Sequence, residues 1–278
     1  MVAVAIANQK GGVGKTTVTL GLAQTATNFG LKVLVVDCDP QANATAGLDD
    51  ISDSKYSLAE VLEQEKILNI DEIYEYGFRS PWSSTDGNSS IDVIRSNSRL
   101  SNIESHLASD PIGSFDRLEM AISKIKDQYD LILFDCPPSV GLITINALFA
   151  ADEVIIVSAP SAWSVDGVDS FVNNIERIRK RRDGKPNIAG IVINNVGRTR
   201  DAKYWQNDIE NRFGISSLSV PARAAIAESC AMSVPLANMG ARPGAKEALS
   251  NFSEIFSQFI GLTVDDSQSA KLDSVSVI

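Results

Sequence analysis

The chain has 278 residues, of which 44% are apolar and 22% are charged, values that are ordinary for a globular protein. The sequence contains no run of eighteen apolar residues that would indicate a transmembrane helix. Its N-terminus also lacks the basic, cleavable segment that would indicate secretion. The net charge of −10 argues against a surface that attracts nucleic acid everywhere, and the single histidine, His106, excludes most histidine-based catalysis.

The first predicted strand, Val2–Ala7, leads directly into a glycine-rich loop. The loop fits the phosphate-binding pattern G-x-x-x-x-G-K-[ST], read here as Gly-Val-Gly-Lys-Thr with a glycine-rich lead-in and an additional lysine, Lys10. Glycines let the backbone N–H groups turn toward phosphate oxygens, and the helix that follows adds a partial positive charge. Lys15 is expected to reach the β- and γ-phosphates, and Thr16 to bind Mg²⁺. The predicted ATP-binding residues of this loop are Lys10, Gly11, Gly12, Val13, Gly14, Lys15, Thr16 and Thr17.

Two further predicted strands end in acidic residues. The strand at 32–36 is followed by Asp37 and Asp39, and the strand at 131–134 by Asp135. Ligands bind beyond the carboxyl ends of strands in open parallel α/β sheets, so we expect these side chains to meet the loop. Asp135 and Asp39 are predicted to belong to the Mg²⁺ shell, and Asp39 is also predicted to orient the attacking water. Asp37 is predicted to support the metal region or the loop. Helix caps or turns are the alternative role of each aspartate.

A basic stretch extends from the end of the helix predicted over 165–182 to beyond the sixth predicted strand. Residues 177–203 contain nine basic and two acidic residues, whereas the rest of the chain is strongly acidic. Lysine and arginine contacts to phosphates give affinity for DNA without sequence information. The stretch therefore predicts non-specific DNA binding, and the alternative is a solvated helix end whose charges complement the helix dipole. The candidate DNA-binding residues are Arg181, Arg182, Lys185, Arg198, Arg200 and Lys203.

The remaining pattern alternates strands and helices. Helices are predicted over 16–29, 58–68, 100–107, 115–126, 142–150, 165–182, 203–213 and 245–260, and strands over 2–7, 32–36, 91–94, 131–134, 153–158, 187–193 and 217–220. Residues 75–90 are predicted to be an irregular surface segment. The alternation predicts a mostly parallel twisted sheet flanked by helices on both faces, in a single domain over 1–262 with a disordered tail over 263–278.

Three segments of the sequence resemble the ParA/Soj partition ATPases, within the deviant-Walker-A class of P-loop proteins that also includes MinD. They are residues 8–17, 36–45 and 134–139, and the resemblance extends from Val2 to about Gly261. It implies a homodimer in the ATP state that binds DNA without sequence preference. It also implies weak ATPase activity stimulated by a ParB-type centromere-binding partner, in the cytoplasm and on the nucleoid.

The resemblance assigns roles to individual positions. Lys10 resembles the signature lysine that crosses the dimer interface to the partner's phosphates, and Gly11 the glycine that must stay small for closure. Lys15 and Thr16 match the loop lysine and the magnesium-binding threonine. Asp39 matches the aspartate associated with hydrolysis.

Four further positions follow from the resemblance. Asp135 matches the second acidic residue of the metal site, Asn194 resembles a residue that contacts adenine, and Pro221 lies where the base pocket closes. The alternative for Asn194 is an ordinary turn residue at the end of a strand. The family often has an arginine-rich stretch after the last strand, with arginine next to the proline. Here a single arginine, Arg223, stands one place further on, and we include it among the candidate DNA-binding residues.

Other classes remain as alternatives. A MinD-like membrane-positioning ATPase would end in a basic amphipathic helix, but the C-terminal segment carries Asp265, Asp266 and Asp273 against Lys271. No membrane partner is therefore expected. An electron carrier resembling nitrogenase reductase would need interface cysteine ligands, and a metabolic P-loop enzyme such as dethiobiotin synthetase would not need Lys10.

Overall fold

Eight strands form one sheet in the part of the chain that the computed structural model describes, which comprises residues 1–48, 56–83, 87–110, 114–197, 200–240 and 242–261. The candidate residue Arg198 and the tail predicted over 263–278 lie outside these ranges. The prediction of a single domain therefore stays a prediction, although all the described strands belong to the same sheet.

The described elements alternate as the sequence indicates. The strands are β1 Val2–Ala7, β2 Lys32–Asp37, β3 Gly77–Arg79, β4 Ser90–Ile94, β5 Leu131–Asp135, β6 Glu153–Ser158, β7 Asn187–Val196 and β8 Ser217–Pro221. The α-helices are α1 Lys15–Asn28, α2 Asn43–Leu48, α3 Leu58–Glu63, α4 Ile73–Tyr76, α5 Leu100–Ser109, α6 Arg117–Ile122, α7 Leu142–Ala150, α8 Ala162–Arg179, α9 Arg200–Phe213, α10 Ala224–Met232 and α11 Ala245–Ile255. Short 3₁₀ turns span Ile70–Glu72, Lys126–Gln128 and Leu236–Met239, and a π-helical turn spans Phe256–Ile260.

The strand order is β3-β4-β2-β5-β1-β6-β7-β8, and every pair is parallel except β3 with β4. After β1 the chain builds β2, β3, β4 and β5 on one side of β1, and it then crosses to build β6, β7 and β8 on the other side. The strand order therefore reverses at β1. Such a reversal opens a crevice at the carboxyl ends of the central strands. The loop after β1 lies at this crevice.

Two apolar cores cover the two faces of the sheet, because successive strand residues point to opposite sides. Ala3, Ala5 and Ala7 of β1 pack in one core with helices α3 to α9. Val4 and Ile6 pack with α1, α2, α10 and α11. The predicted α/β sheet with helices on both faces is confirmed.

Three predicted segments were wrong in detail, and one is the helix over 115–126, which spans only Arg117–Ile122. Within the segment 75–90, predicted to be irregular and at the surface, residues 77–79 form β3, which pairs with β4, and both Phe78 and Trp82 are buried. A strand of three residues is too short to give a periodic signal. The helix predicted over 58–68 ends at Glu63, because Glu65 adopts a left-handed conformation with φ of 51° that a right-handed helix cannot include.

Candidate active site

The glycine-rich loop connects β1 to α1 with backbone angles that glycine adopts easily. Gly12 has a φ of 73° and Gly14 a φ of 92°, and Gly14 is the residue that precedes α1. A Cβ on Gly14 would lie 1.9 Å from the side-chain nitrogen of Asn194. The free N–H groups at the start of α1 therefore border an open crevice, the arrangement that binds anions at helix N-termini.

A cavity of about 680 Å³ lies against this loop. It extends from the loop to the segment after β2 on one side and to α10 on the other. Its lining residues are Gly11, Gly12, Gly14, Lys15, Thr16, Thr17, Leu20, Asp39, Gln41, Asn43, Ala46, Gly47, Pro138, Ala227, Cys230, Ala231 and Ser233. Six residues of the predicted loop and Asp39 thus share one space.

Lys15 lies in the cavity wall and is only 7% exposed. Its ammonium donates to the backbone carbonyl of Lys10 at 3.1 Å, so it folds back over the loop. Burial lowers the pKa of Lys15, and the nearby Asp135 and Asp39 carboxylates oppose this effect. A buried cation held over backbone amides is well placed to meet a phosphate.

Lys10 begins the loop and is half-buried. Its backbone N–H donates to the Oδ1 atom of Asn8, whose own side-chain nitrogen donates to the carbonyl of Val157 on β6. The position of Lys10 is therefore fixed to the neighbouring strand through Asn8. Sequence reasoning did not single out Asn8, because asparagine beside such a loop has no motif of its own.

Asp135 ends β5 beneath the start of α1. Its Oδ2 atom accepts from the Thr16 hydroxyl at 2.7 Å, and its Oδ1 atom accepts from the Thr19 hydroxyl at 2.9 Å. Burial raises the pKa of Asp135, whereas the two threonine hydrogen bonds and Lys15 lower it. Thr16 and Asp135 are thus adjacent, a geometry compatible with the predicted metal site, and Thr19 is an additional partner that the sequence analysis missed.

These oxygen groups fit Mg²⁺. Hydroxyl and carboxylate oxygens are the ligands that this hard cation prefers, and it usually keeps several waters. No group of three His, Cys, Asp or Glu side chains is arranged to hold a metal among the described residues. The Thr16 hydroxyl is therefore the direct ligand to expect, with Asp135 and Asp39 acting through water.

Asp37 fixes the segment that carries Asp39. Asp37 is fully buried, and its Oδ2 atom accepts from both the N–H and the hydroxyl of Thr45 at 2.7 Å, while Oδ1 accepts from the N–H of Asp39. The Ser96 hydroxyl donates to the carbonyl of Asp39 at 2.6 Å. The carboxylate of Asp39 is 8% exposed and accepts from the N–H of Gln41. Both backbone polar groups of Asp39 are thus held in place.

The three carboxylates crowd one end of the sheet. Asp37 and Asp135 are register partners on β2 and β5. Burial and the charge of Asp135 raise the pKa of Asp37, and its hydrogen bonds from Thr45 partly offset this. The concentrated negative charge would be relieved by a cation.

Asn194 lies behind the loop, and its predicted contact with adenine stays a prediction. It is 7% exposed, and its side-chain nitrogen donates to the carbonyl of Val13 at 3.0 Å. In this structure Asn194 supports the loop from beneath. Pro221 ends β8, opposite Val196 of β7, at the same edge of the sheet as the loop.

The basic stretch is divided between opposite ends of the sheet. Residues 177–185 lie before β7, whereas Arg200 and Lys203 lie in α9, after it. The ten residues of β7 separate the two groups by about 30 Å. Residues close in sequence are therefore distant in space, because a strand spans the sheet.

The group before β7 is partly neutralised at the end opposite the loop. Arg182 pairs with Glu119 at 3.3 Å and donates to the carbonyl of Ala151, and Lys185 pairs with Asp152 at 2.6 Å. Arg181 is exposed. These contacts favour a structural role for Arg182 and Lys185 over a role in DNA binding.

The group after β7 lies at the same end as the cavity. The N–H of Ala222, after β8, donates to the carbonyl of Val196 at the end of β7. Arg223 and the start of α9 therefore follow neighbouring strand ends. Arg223 thus lies at the same end of the sheet as the start of α9, although at least twenty residues separate it from Arg200 and Lys203 in the sequence.

Comparisons with known proteins agree with this geometry. A family model described as an AAA domain matches residues 1–188. The sporulation initiation inhibitor protein Soj of Bacillus subtilis is 33% identical over 198 residues, covering 68% of this chain and 71% of that protein. The chromosome partitioning protein ParA of Caulobacter vibrioides is 30% identical over 238 residues, covering 84% and 85%. The chain belongs to the ParA/Soj family of partition ATPases.

A solved structure adds the ligands that such a fold accommodates. Cobyrinic acid a,c-diamide synthase from Mycobacterium smegmatis, with bound ATP analogue and magnesium, superposes with a TM-score of 0.75 at 25% identity, covering 92% of each chain. That enzyme has another activity, so the fold alone does not separate partition proteins from metabolic enzymes. The similarity of this ParA/Soj-family chain to partition proteins over most of its length makes that distinction.

A membrane span is not found in the described part of this ParA/Soj-family chain, since no helix there is both long and apolar enough.

The contacts that sequence reasoning missed are the supporting ones, made by Asn8, Thr19, Thr45 and Ser96. Hydroxyl and amide side chains are common throughout proteins, so only their positions in the fold reveal such roles.

Proposed function

We propose that this partition ATPase hydrolyses ATP at the cavity beside the glycine-rich loop and binds DNA non-specifically as an ATP-dependent homodimer. The observation that carries the proposal is the convergence of Lys15, Thr16 and Asp39 on one cavity, with Asp135 beneath it. Bound Mg²⁺ would supply positive charge at the phosphates. Lys15 would hold the β- and γ-phosphates, Thr16 and Asp135 would hold the ion, and Asp39 would orient the attacking water.

Lys10 gives the proposal its dimeric form. Two copies of the loop repel each other because each carries Lys10 and Lys15, and a triphosphate between them would remove this repulsion. Lys10 of one subunit would reach the phosphates of the other, and Gly11, whose Cβ position lies 3.6 Å from Pro138, keeps the loop surface flat for this contact. Hydrolysis would then separate the subunits.

The DNA surface would lie at the carboxyl ends of β7 and β8, with Arg200, Lys203 and Arg223. A dimer doubles the number of phosphate contacts, so its affinity for DNA exceeds that of a monomer steeply. A ParB-type partner would stimulate hydrolysis and release the protein from DNA. We therefore expect the chain in the cytoplasm and on the nucleoid.

The deciding experiment measures mass by light scattering and binding to random duplex DNA, each without nucleotide, with ADP and with a non-hydrolysable ATP analogue. We expect dimers and salt-sensitive DNA binding with the analogue alone. Lys15→Ala should abolish both, and Lys10→Ala should abolish dimerisation while retaining nucleotide binding. Monomers at every concentration, or equal DNA binding without nucleotide, would contradict the proposal.

A second experiment tests the partner and the membrane alternative. The ATPase rate is measured with and without DNA and a candidate centromere-binding protein, with Lys10→Ala as the comparison. We expect DNA and the centromere-binding protein together to raise the ATPase rate of the wild type, and not that of Lys10→Ala. Pelleting with anionic liposomes should leave the protein in the supernatant, and ATP-dependent pelleting would instead favour the MinD-like function.

A further inference from the structure

Arg223 belongs to the candidate DNA surface and makes well-defined side-chain contacts there. It lies between the end of β8 and the start of α10, and the neighbouring Ala222 is hydrogen-bonded to Val196 of β7. Arg223 therefore lies at the carboxyl end of β8, the end of the sheet from which α9 also begins.

The guanidinium of Arg223 is already occupied. Its Nε donates to Oε2 of Glu247 at 2.8 Å and its Nη2 to Oε1 at 2.6 Å, while Nη1 donates to the carbonyl of Ala222 at 2.8 Å. All three nitrogens therefore have an acceptor. The two parallel bonds to Glu247 form the geometry in which arginine binds carboxylates and phosphates most specifically.

The backbone around Glu247 is shaped to allow this contact. Glu247 lies in the first turn of α11, which follows Gly244 with a φ of 85°. A Cβ on Gly244 would lie 2.5 Å from the Cδ atom of Arg223, so the arginine stem rests where a side chain would otherwise be. The glutamate also complements the dipole at the start of its helix.

The pair is nevertheless accessible. The side chain of Glu247 is 53% exposed and that of Arg223 is 21% exposed. Because more than half of the Glu247 side chain faces water, which screens the pair, a phosphate can compete with Glu247 for the Arg223 guanidinium. A DNA phosphate offers the same pair of oxygens, but in the free protein the carboxylate cancels the charge that would attract it.

We propose that Glu247 sets the DNA affinity of this protein by competing with phosphate for Arg223. Binding of DNA at this corner requires Arg223 to exchange the Glu247 carboxylate for a phosphate, so the charge of Glu247 weakens the complex. This inference rests on the proposed DNA binding and assigns Glu247 as the residue that limits it.

The test compares Glu247→Gln with Glu254→Gln, which makes the same change of charge at an exposed position of the same helix. Binding to random duplex DNA is measured with the non-hydrolysable ATP analogue at several salt concentrations. We expect Glu247→Gln to bind about five- to tenfold more tightly, as for gaining one charged contact, and Glu254→Gln to differ from wild type by less than about twofold.

A double-mutant cycle with Arg223→Gln separates the local pair from overall charge. The gain from Glu247→Gln should vanish in that background. Glu247→Asp keeps the charge but shortens the side chain, and it should give a smaller gain. Thermal unfolding of each variant should stay close to that of wild type, because the pair is exposed.

The outcomes distinguish this inference from the function on which it rests. Wild-type protein that binds no DNA with the analogue contradicts both. Wild-type binding with no gain in Glu247→Gln, an equal gain in Glu254→Gln, or a gain that persists with Arg223→Gln overturns the role of Glu247 alone.

Discussion

The side-chain nitrogen of Asn194 occupies the space that any side chain at residue 14 would need. Gly14 is therefore fixed by two separate constraints, its φ of 92° and this neighbour. Asn194 in turn satisfies the carbonyl of Val13 within the loop. A residue from the seventh strand thus determines the shape of a loop after the first.

Asn194→Ala tests whether this residue supports the loop or contacts the base. The Val13 carbonyl would lose a buried donor, which costs roughly 1–3 kcal/mol. We expect the affinities for ATP and GTP, measured by calorimetry, to fall by the same factor. A change in the ratio of the two affinities would show that Asn194 contacts adenine.

Asp135→Asn tests the crowding of buried carboxylates. Burial raises the folded-state pKa of Asp135 to about 6, so ionisation of this carboxyl opposes folding. Below the pKa of the unfolded state the carboxyl is protonated in both states and does not destabilise the fold. As the pH rises through the raised pKa of the folded state, the carboxyl ionises at a cost and the free energy of unfolding falls. Asparagine does not ionise, and it also removes the charge that raises the pKa of Asp37.

Thermal unfolding in EDTA without nucleotide should therefore show that Asp135→Asn is more stable than wild type at pH 8. The difference in the free energy of unfolding should be on the order of 1–3 kcal/mol, since a tenfold change in proton affinity corresponds to about 1.4 kcal/mol. It should shrink as the pH falls toward 4. A difference that does not depend on pH would mean that the wild-type carboxylate is not destabilised by burial.

At the scale of elements, α2 is joined to the ends of β2 and β4. Thr45 of α2 donates twice to Asp37, and its hydroxyl accepts from the N–H of Ser96, which follows β4. The Ser96 hydroxyl donates a hydrogen bond to the carbonyl of Asp39. The segment that carries Asp39 is therefore positioned by hydroxyl groups of two other elements.

Thr45→Val should slow ATP hydrolysis by roughly tenfold, because the segment that orients Asp39 loses contacts that the isosteric side chain cannot make. Nucleotide affinity, measured separately, should change by less than about twofold, since the loop that binds the phosphates is unaltered. Thr27→Val is the matched control, because its hydroxyl donates to the Gln24 carbonyl at the far end of α1. Equal loss of hydrolysis in both variants would contradict the positioning role.

At the scale of the whole molecule, the parallel sheet gives the protein two distinct ends. The carboxyl ends of the strands bear the loop, the acidic residues and the start of α9, and the opposite end bears the paired Arg182 and Lys185. If the protein binds DNA as proposed, an acidic molecule with a locally basic corner would restrict DNA to that corner.

Reversal of charge at each end tests this arrangement. Lys203→Glu should weaken binding to random duplex DNA by roughly tenfold or more, whereas Arg181→Glu should change it by less than about twofold. Filter binding with the ATP analogue at fixed salt measures both. Comparable losses in the two variants would place DNA across the whole molecule.

The order of strands and helices and most of the site could be predicted from the sequence. The loop around Lys15 and the acidic strand ends at Asp39 and Asp135 are local patterns, and the rule for parallel sheets places them together. The short strand that buries Phe78, the end of α3 at Glu63 and the hydroxyl partners of the aspartates were not predictable, because each depends on neighbours that are distant in sequence.

The sequence by itself determined the chemistry of this protein: a phosphate-binding loop, two lysines that bracket its glycines, and carboxylates at strand ends. Only the tertiary structure decided which groups share a surface. A strand of ten residues places Arg181 and Arg200 at opposite ends of the sheet, while adjacent strand ends place the start of α9 and Arg223 at the same end. Contact depends on distance through space, and in a crossed-over sheet that distance does not follow distance along the chain.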